Sequence, residues 1–147
     1  MTLDCSIEIL RSPEVVFPWI AEPKRAMKWQ KNVKGGEVIV STPQVVGTTF
    51  TETLEEDGSE LVMEGTITDY AADRLIAFHL SSRIHEFDVS YALEATERGV
   101  RVSISAVIRW KFPMNVVTAL TGKRFEKRLT RQLDSELREL KAMCEST

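Results

Sequence analysis

The chain has 147 residues, of which 43% are hydrophobic, and carries a formal net charge of −3. This length predicts a single domain over residues 1–147, with enough apolar residues to form a core. The slight negative charge argues against a nucleic-acid-binding protein, because such proteins are usually basic. No apolar run approaches the ~20 residues of a membrane-spanning helix, so we expect no integral membrane association. The first residues also lack the features of a signal peptide.

Two cysteines, Cys5 and Cys144, lie near opposite ends of the chain. They have neither metal-binding spacing nor the pattern of a disulfide framework, and we interpret them as free thiols of a cytoplasmic protein. The sequence also contains no phosphate-binding loop, no dinucleotide-binding fingerprint and no cluster with metal-ligand spacing. We therefore expect no metal and no cofactor.

The chain begins with alternating apolar and polar residues over 3–10, which predicts a strand. Ser12 and Pro13 then have the residue types that favour the N-cap and the first position of a helix. A second short helix is expected from Lys24 to about Trp29. Gly35-Gly36 is expected to break the chain before the next strands begin.

About six alternating strands follow between Val38 and Trp110. Turn signals separate them, most clearly Asp57-Gly58 between the third and fourth strands and Arg98-Gly99 between the last two. Because helices are predicted only at the two ends, the sheet should be a largely antiparallel meander. The predicted inner rows of the last three strands are Ile76, Phe78 and Leu80; Phe87, Val89, Tyr91 and Leu93; and Val102, Ile104, Ala106, Ile108 and Trp110.

One long amphipathic helix is predicted from Asn115 to Cys144. Gly122 weakens it near its start, so a break or bend is expected there. A single helix that covers a whole apolar sheet face leaves space beneath it. This α+β architecture therefore predicts a cavity between the helix and the sheet. The apolar stripe that should lie on the sheet is Val117, Leu120, Phe125, Leu129, Leu133, Leu137, Leu140 and Cys144.

Several stretches carry a family resemblance. They are Ser12–Phe17 with Trp29, Val46–Phe50, Glu64–Thr68 running on to Arg74–Phe78, Tyr91–Glu94 and the terminal helix. Together they resemble the START/Bet v 1-like (SRPBCC) superfamily, and most closely its polyketide cyclase/dehydrase-like branch. The resemblance implies a helix-grip fold, in which a curved antiparallel sheet of about seven strands wraps around the C-terminal helix, with two short helices after the first strand. Members bind lipids, quinones, sterols, hormones or polyketides, and a few catalyse cyclisation or dehydration. No universal catalytic motif exists, so no residue inherits a role.

Glu52 is the most interesting candidate for chemistry. If strand alternation holds, it shares the inner side of the third strand with Phe50 and Leu54. Burial there would raise its pKa and suit a general acid or base. Alternatively, a one-residue bulge would turn Glu52 towards water. The sequence leaves both orientations open.

His85 and Tyr91 are the other polar candidates on the predicted inner face. His85 could hydrogen-bond a ligand at the cavity rim or relay protons, but an exposed histidine in a turn is the plainer interpretation. Tyr91 should point inwards, where its hydroxyl needs a partner from a ligand, the protein or water. The predicted ligand-binding residues are Phe50, Glu52, Met63, Phe78, His85, Phe87, Tyr91, Trp110, Leu120 and Phe125.

A basic cluster lies on the first half of the long helix and consists of Lys123, Arg124, Lys127, Arg128 and Arg131. A solvated helix face is the plainer interpretation. The opposite charges would come from Glu126, Asp134, Glu136 and Glu139. The alternative is a peripheral contact with anionic lipid headgroups near the cavity entrance.

The leading interpretation is a non-enzymatic carrier or sensor of a small hydrophobic molecule, such as a lipid, a quinone or a polyketide-like compound. The rival is a cyclase, aromatase or dehydratase in which Glu52 acts as general acid or base, assisted by Tyr91 or His85. A protein-interaction module that uses the outer sheet face ranks last, because that face looks polar. Neither the ligand nor the oligomeric state follows from the sequence.

Overall fold

The computed structural model describes residues 1–56 and 58–146. Within them the chain forms seven strands and three helices in an α+β arrangement. In chain order they are β1 (Thr2–Ile9), α1 (Pro13–Ala21), α2 (Pro23–Ala26), β2 (Val33–Val40), β3 (Thr49–Glu56), β4 (Ser59–Ala71), β5 (Leu75–Ser81), β6 (His85–Ala95), β7 (Val100–Trp110) and α3 (Met114–Glu145).

The strands form one antiparallel sheet in the order β1-β7-β6-β5-β4-β3-β2. The meander predicted from β2 to β7 is confirmed, and β1 joins it by pairing with the last strand, with Thr2 opposite Val107. In the β3–β4 hairpin, Glu56 and Ser59 are the last paired residues before the turn. Gly58 adopts φ +80°, a left-handed conformation that glycine tolerates. The other residue of this turn signal, Asp57, lies outside the described residues.

Alternation along β7 shows why the sheet has one buried face. Val100, Val102 and Ile104 are almost completely buried, whereas Arg101 lies on the opposite, exposed side. Burying each such side chain contributes about 1.5–3 kcal/mol to folding. The inner rows predicted for β5, β6 and β7 are thus on the inner face, and the sheet curves around α3 as the helix-grip prediction requires.

The two short helices close one end of the sheet. Ser12 occupies the N-cap of α1 with Pro13 at the first helical position, as predicted. α2 is shorter than predicted and ends at Ala26. Beyond it, the indole N–H of Trp29 donates to the carbonyl oxygen of Trp19 at 2.8 Å, which fixes the segment between α2 and β2 against α1.

The long helix α3 is confirmed, but the first residues of its predicted apolar stripe do not pack on the sheet. Leu133, Leu137, Leu140 and Cys144 are buried in its second half. The predicted position of Leu120 against the sheet is wrong, because its side chain is 87% exposed. Val117 is also exposed. Phe125 packs on Trp110, the last residue of β7, at 4.9 Å between ring centroids, so the preceding helical turns lie past the end of that strand.

Two further expectations concern glycines. The break expected as one possibility at Gly122 is absent, because consecutive hydrogen bonds and the packed second half hold the helix despite the weak residue. Gly35-Gly36 does not precede the sheet but lies inside β2. No helix in the described part of the chain is long and apolar enough to cross a membrane.

Candidate ligand-binding site

Three cavities follow one another between the sheet and the helices. The outer lobe, of about 170 Å³, lies between the α1–α2 segment and strands β2 and β3. The central lobe, of about 140 Å³, lies beneath α3. The far lobe, of about 410 Å³, lies between the β3–β4 hairpin, Trp110 and Phe125. The first two are each close to the ~150 Å³ of an engineered cavity that binds benzene.

The lobes share walls, so they form one row of spaces. The outer and central lobes are both lined by Gln30, Val33, Glu52, Phe78 and Tyr91. The central and far lobes are both lined by Lys31, Leu54, Phe87, Leu129 and Gln132. The apolar cavity predicted between helix and sheet is therefore present, with a polar group of residues at its centre.

Glu52 lies on the cavity wall, so of its two predicted orientations the inward one is correct. β3 pairs with β4 without interruption, and Glu52 stands opposite Met63. The bulges lie instead in β2, around residues 33–35 and 38–40. Burial raises the pKa of Glu52 above its ordinary value. Among the described residues this carboxyl has no hydrogen-bond partner.

Glycines on the neighbouring strands shape the space around Glu52. Gly36 pairs with it from β2 and places no side chain over it. Gly65 on β4 lies beneath the ring of Phe50, where an added Cβ would be 2.3 Å from the ring. Any larger residue at this position would push the Phe50 ring into the outer lobe.

Glu136 is the main functional candidate that the sequence reading missed. It was assigned to the solvated side of α3, but its side chain is only 6% exposed and lines the central lobe with Glu52. The Lys31 N–H donates to its Oε2 at 2.7 Å, and the Gln132 amide lies 3.4 Å from the same oxygen. Burial raises the pKa of Glu136, the Lys31 and Gln132 contacts oppose the rise, and the Glu52 charge adds to it.

A signal for the inward position of Glu136 exists in the sequence. It lies three residues after Leu133 and four before Leu140, on the same helix face as the apolar stripe. The negative charge of Glu136, taken alone, suggested that it lies on the opposite, solvent-exposed face of α3. On α3 the spacing, rather than the residue type, determines which side chains face the sheet.

Tyr91 occupies the wall between the outer and central lobes, as its predicted inward position requires. It is buried, and the Trp29 ring packs edge-on against it at 6.1 Å, while Phe78 stacks at 6.2 Å. Burial raises the pKa of the Tyr91 hydroxyl, and the Glu136 charge raises it further. The Gln30 side chain opposes this rise as a hydrogen-bond partner. The phenol therefore remains neutral at ordinary pH.

His85 is buried rather than exposed in a turn, which corrects the plainer interpretation of the sequence. Its Nδ1 lies 2.7 Å from the Ser82 hydroxyl, and its ring packs on Phe87 at 4.4 Å and on Trp110 at 5.1 Å. Burial lowers the pKa of His85, and the nearby Lys111 charge lowers it further. The imidazole is thus neutral at ordinary pH and lines the far lobe.

The remaining predicted lining residues, apart from Leu120, each line at least one of the three lobes. Met63 lines the central lobe and Phe78 lines both the outer and central lobes, while Phe87 faces the central and far lobes. Trp110 and Phe125 line the far lobe, and the Trp110 indole N–H has no partner among the described residues. Leu120 lines none of the three. Within residues 1–56 and 58–146, no group of three metal-ligating side chains could hold an ion.

Comparison with known proteins gives the family of this fold. Residues 2–145 match the model of the family described as polyketide cyclase / dehydrase and lipid transport. The chain belongs to this family. It is thereby a member of the START/Bet v 1-like superfamily, as the resemblance predicted. No match was found among curated protein sequences.

Solved structures that superpose on this chain agree with the assignment to the polyketide cyclase/dehydrase family. A protein from Thermus thermophilus superposes with a TM-score of 0.82 at 15% identity, over 99% of this chain and 98% of that one. A START superfamily protein from Mycobacterium smegmatis gives 0.81 at 13% identity, over 99% and 97%. Ara h 8.0201 gives 0.70 at 15% identity, over 100% and 99%. At these identities the likeness establishes the fold alone.

Proposed function

We propose that this protein binds and carries a small, mainly apolar molecule in the row of lobes between the sheet and α3. The observation that carries the proposal is the row itself, since apolar and aromatic walls surround a few convergent polar groups. This composition is typical of small-molecule sites. Family membership agrees with hydrophobic ligand binding. Cys5 and Cys144 form no disulfide, which fits a reducing compartment such as the cytoplasm.

The size of the lobes restricts the ligand. The outer and central lobes each have about the volume that one aromatic ring occupies. Phe50, Phe78 and Tyr91 present ring faces and edges to this space, with centroids 6.1 to 6.2 Å apart along the series. Flat ligands of two or three rings, or a quinone or polyketide-like compound, therefore fit better than a bulky globular one.

Ligand binding is tested with a neutral apolar dye, N-phenylnaphthylamine, whose fluorescence rises in apolar surroundings. Val33 lines the outer and central lobes, so Val33→Trp should fill them and weaken dye binding by about tenfold or more, which corresponds to ~1.4 kcal/mol. Ile39→Trp is the matched control, because Ile39 lies on the same strand but is exposed. Native mass spectrometry of the purified protein would reveal a co-purified ligand.

The proposal is wrong if the dye does not bind and no ligand co-purifies. It is also wrong if both tryptophan variants weaken dye binding equally, since the dye would then bind the outer surface. Retained circular dichroism shows that both variants fold.

A peripheral contact with anionic membranes extends the proposal and would give the carrier access to its ligand. Residues 114–131 carry five basic residues against one acidic residue, although the whole chain is net negative. Just before these basic residues, Phe112, Val116 and Leu120 are exposed. Exposed apolar side chains beside a basic helix face suit an anionic lipid surface. Phe125 and Arg128 line the far lobe, which puts the contact beside a cavity mouth.

A second candidate function is catalytic, and the inward position of Glu52 favours it. The Glu52 carboxylate would take a proton from the carbon between two carbonyls of a polyketone. The resulting enolate would attack a second carbonyl of the same molecule, forming a carbon–carbon bond and an alkoxide. The protonated Glu52 would then return its proton to that alkoxide. Burial raises the pKa of Glu52 towards neutrality, which suits both steps.

The catalytic candidate is tested by incubating the protein with a synthetic polyketone and following cyclised product by chromatography. Glu52→Gln should abolish product formation, while Glu139→Gln, on the exposed face of α3, should retain it. Equal product with the wild type, the Glu52 variant and no protein would eliminate this candidate and leave ligand binding as the function.

A further inference from the structure

We propose that the centre of the cavity binds the cationic amino group of an otherwise apolar ligand, through Glu52, Glu136, Tyr91 and Gln30. This inference rests on the proposed function and adds the chemical class of the ligand. These four side chains come from β3, α3, β6 and the segment after α2, and they meet where the outer and central lobes adjoin. The wall of these two lobes is otherwise mainly apolar, so a polar group of a ligand bound in them is best accommodated here.

Hydrogen-bonding capacity at this centre is unbalanced towards acceptors. Both oxygens of Glu52 lack a partner among the described residues. Both hydrogen bonds to Glu136 reach the same oxygen, Oε2, so its Oε1 also remains available. Besides the Lys31 N–H and the Gln132 amide, which are already bound to Glu136, the donors are the Tyr91 hydroxyl and the Gln30 amide, and these two pair with each other. A ligand that supplies several N–H donors fits this centre better than one that supplies acceptors.

The charged residues around this centre also favour a cationic ligand. The charged residues that line the outer and central lobes are Glu37 on β2, Glu52 on β3, Glu136 on α3 and Lys31 after α2. The Lys31 ammonium donates to the Ser135 hydroxyl at 2.6 Å. Because Glu37 is exposed on β2, the two carboxyl groups at the buried centre are those of Glu52 and Glu136. Burial raises the pKa of both, and the Glu52 charge adds to the rise at Glu136. A bound cation favours the ionised form of both groups.

Aromatic rings complete the arrangement. Tyr91 stacks with Phe78, and Phe78 packs on Phe50, so these rings form a continuous aromatic part of the wall of the outer lobe, which Glu52 also lines. A cation over such rings gains about 0.5–2 kcal/mol, the larger value when it is desolvated. Carboxylates combined with aromatic rings are the chemistry that recognises ammonium groups. A neutral apolar ligand would use the rings but leave both carboxyl groups unpaired.

The test compares two probes of equal shape, naphthylmethylamine and naphthylmethanol, by isothermal titration calorimetry. At neutral pH we expect the amine to bind at least about tenfold more tightly than the alcohol. Glu52→Gln should remove most of this preference, measured as the ratio of the two affinities, and Glu136→Gln should remove part of it. Glu139→Gln, with an exposed carboxyl on the same helix, should keep the preference. Lowering the pH to about 5 should weaken binding of the amine alone, since the carboxyl groups become protonated.

The outcomes separate the two proposals. Equal affinity for amine and alcohol, or a preference that survives in the Glu52→Gln/Glu136→Gln double variant, overturns the amine inference and leaves the carrier function intact. Failure of both probes and of N-phenylnaphthylamine to bind, with no co-purified ligand, overturns the carrier function itself. Circular dichroism and unfolding curves confirm that each variant is folded before it is titrated.

Discussion

The two halves of α3 have opposite surroundings, although they form one continuous helix. The inner half, residues 129–145, buries Leu133, Leu137, Leu140 and Cys144 and carries Glu136 into the cavity. The outer half, residues 114–128, is mostly exposed, with Leu120 87% exposed. Its periodicity predicted the same stripe as the inner half. An apolar stripe on a helix therefore predicts a preferred face, but burial also requires a strand opposite that face.

This contrast predicts that stability depends on the inner half and surface interactions depend on the outer half. The difference follows from burial, since the buried residues of α3, from Leu133 to Cys144, lie in the inner half. The following experiments would sharpen that division or break it.

The largest expected effect is that of Leu137→Ala in the inner half. Leu137 is fully buried in the core, so truncation should lower the free energy of unfolding by about 2–5 kcal/mol. Urea unfolding followed by circular dichroism measures the change. A loss below about 0.5 kcal/mol, the range of surface substitutions, would show that the inner half does not carry the core.

A reversal of charge in the outer half should be the next largest effect, on lipid binding rather than on stability. The double variant Lys127→Glu/Arg131→Glu should weaken partitioning onto anionic phosphatidylserine vesicles by at least about 2 kcal/mol, at ~1 kcal/mol per basic residue. Vesicle co-sedimentation measures it. The control Lys24→Glu/Arg98→Glu changes net charge equally on other surfaces. Equal losses in the two variants would exclude a dedicated lipid surface.

Glu136 should give the inner half a pH dependence that the outer half lacks. Burial raises the pKa of Glu136 in the folded state, so the folded protein binds this proton more tightly than the unfolded chain does. This contribution favours folding at low pH and is lost as pH rises through the folded pKa. Glu136→Gln should therefore reduce the decline in stability between about pH 5 and pH 8. Urea unfolding at the two pH values measures the decline, and Glu139→Gln should leave it unchanged.

The smallest expected effect is that of Leu120→Ser in the outer half. Because Leu120 is exposed, the free energy of unfolding should change by less than about 0.5 kcal/mol. The same urea unfolding curves test this expectation. A loss comparable to that of Leu137→Ala would mean that Leu120 packs on the protein in solution and that the two halves do not differ.

Much of the fold followed from the sequence, because strand alternation and helical spacing report directly on burial. The meander, the two short helices and the inner positions of Phe78 and Tyr91 followed from these periods. The bounds of α2 were less accurate, since a single turn carries little periodic signal. Gly35-Gly36 was misassigned because glycine in an edge strand resembles glycine in a loop.

The centre of the site was only half predictable. The inward position of Glu52 followed from strand alternation, because no bulge interrupts the pairing of β3 with β4. Glu136 and Gln30 did not, because charged and amide residues on a helix or loop are usually exposed, and their burial depends on contacts with distant strands. His85 was misjudged for the same reason, since its burial depends on Trp110 and Phe87, which pack against it from the sheet.

Strand β2 has a consequence beyond shaping the outer lobe. As one edge of the sheet it offers backbone groups to which a strand of another molecule could add, and Val38, Ile39 and Val40 on it are exposed. Exposed apolar edge strands promote aggregation. The two bulges in β2 leave only a short regular stretch for such pairing. The irregularities that border the ligand cavity thus also limit edge-to-edge association between copies of the protein.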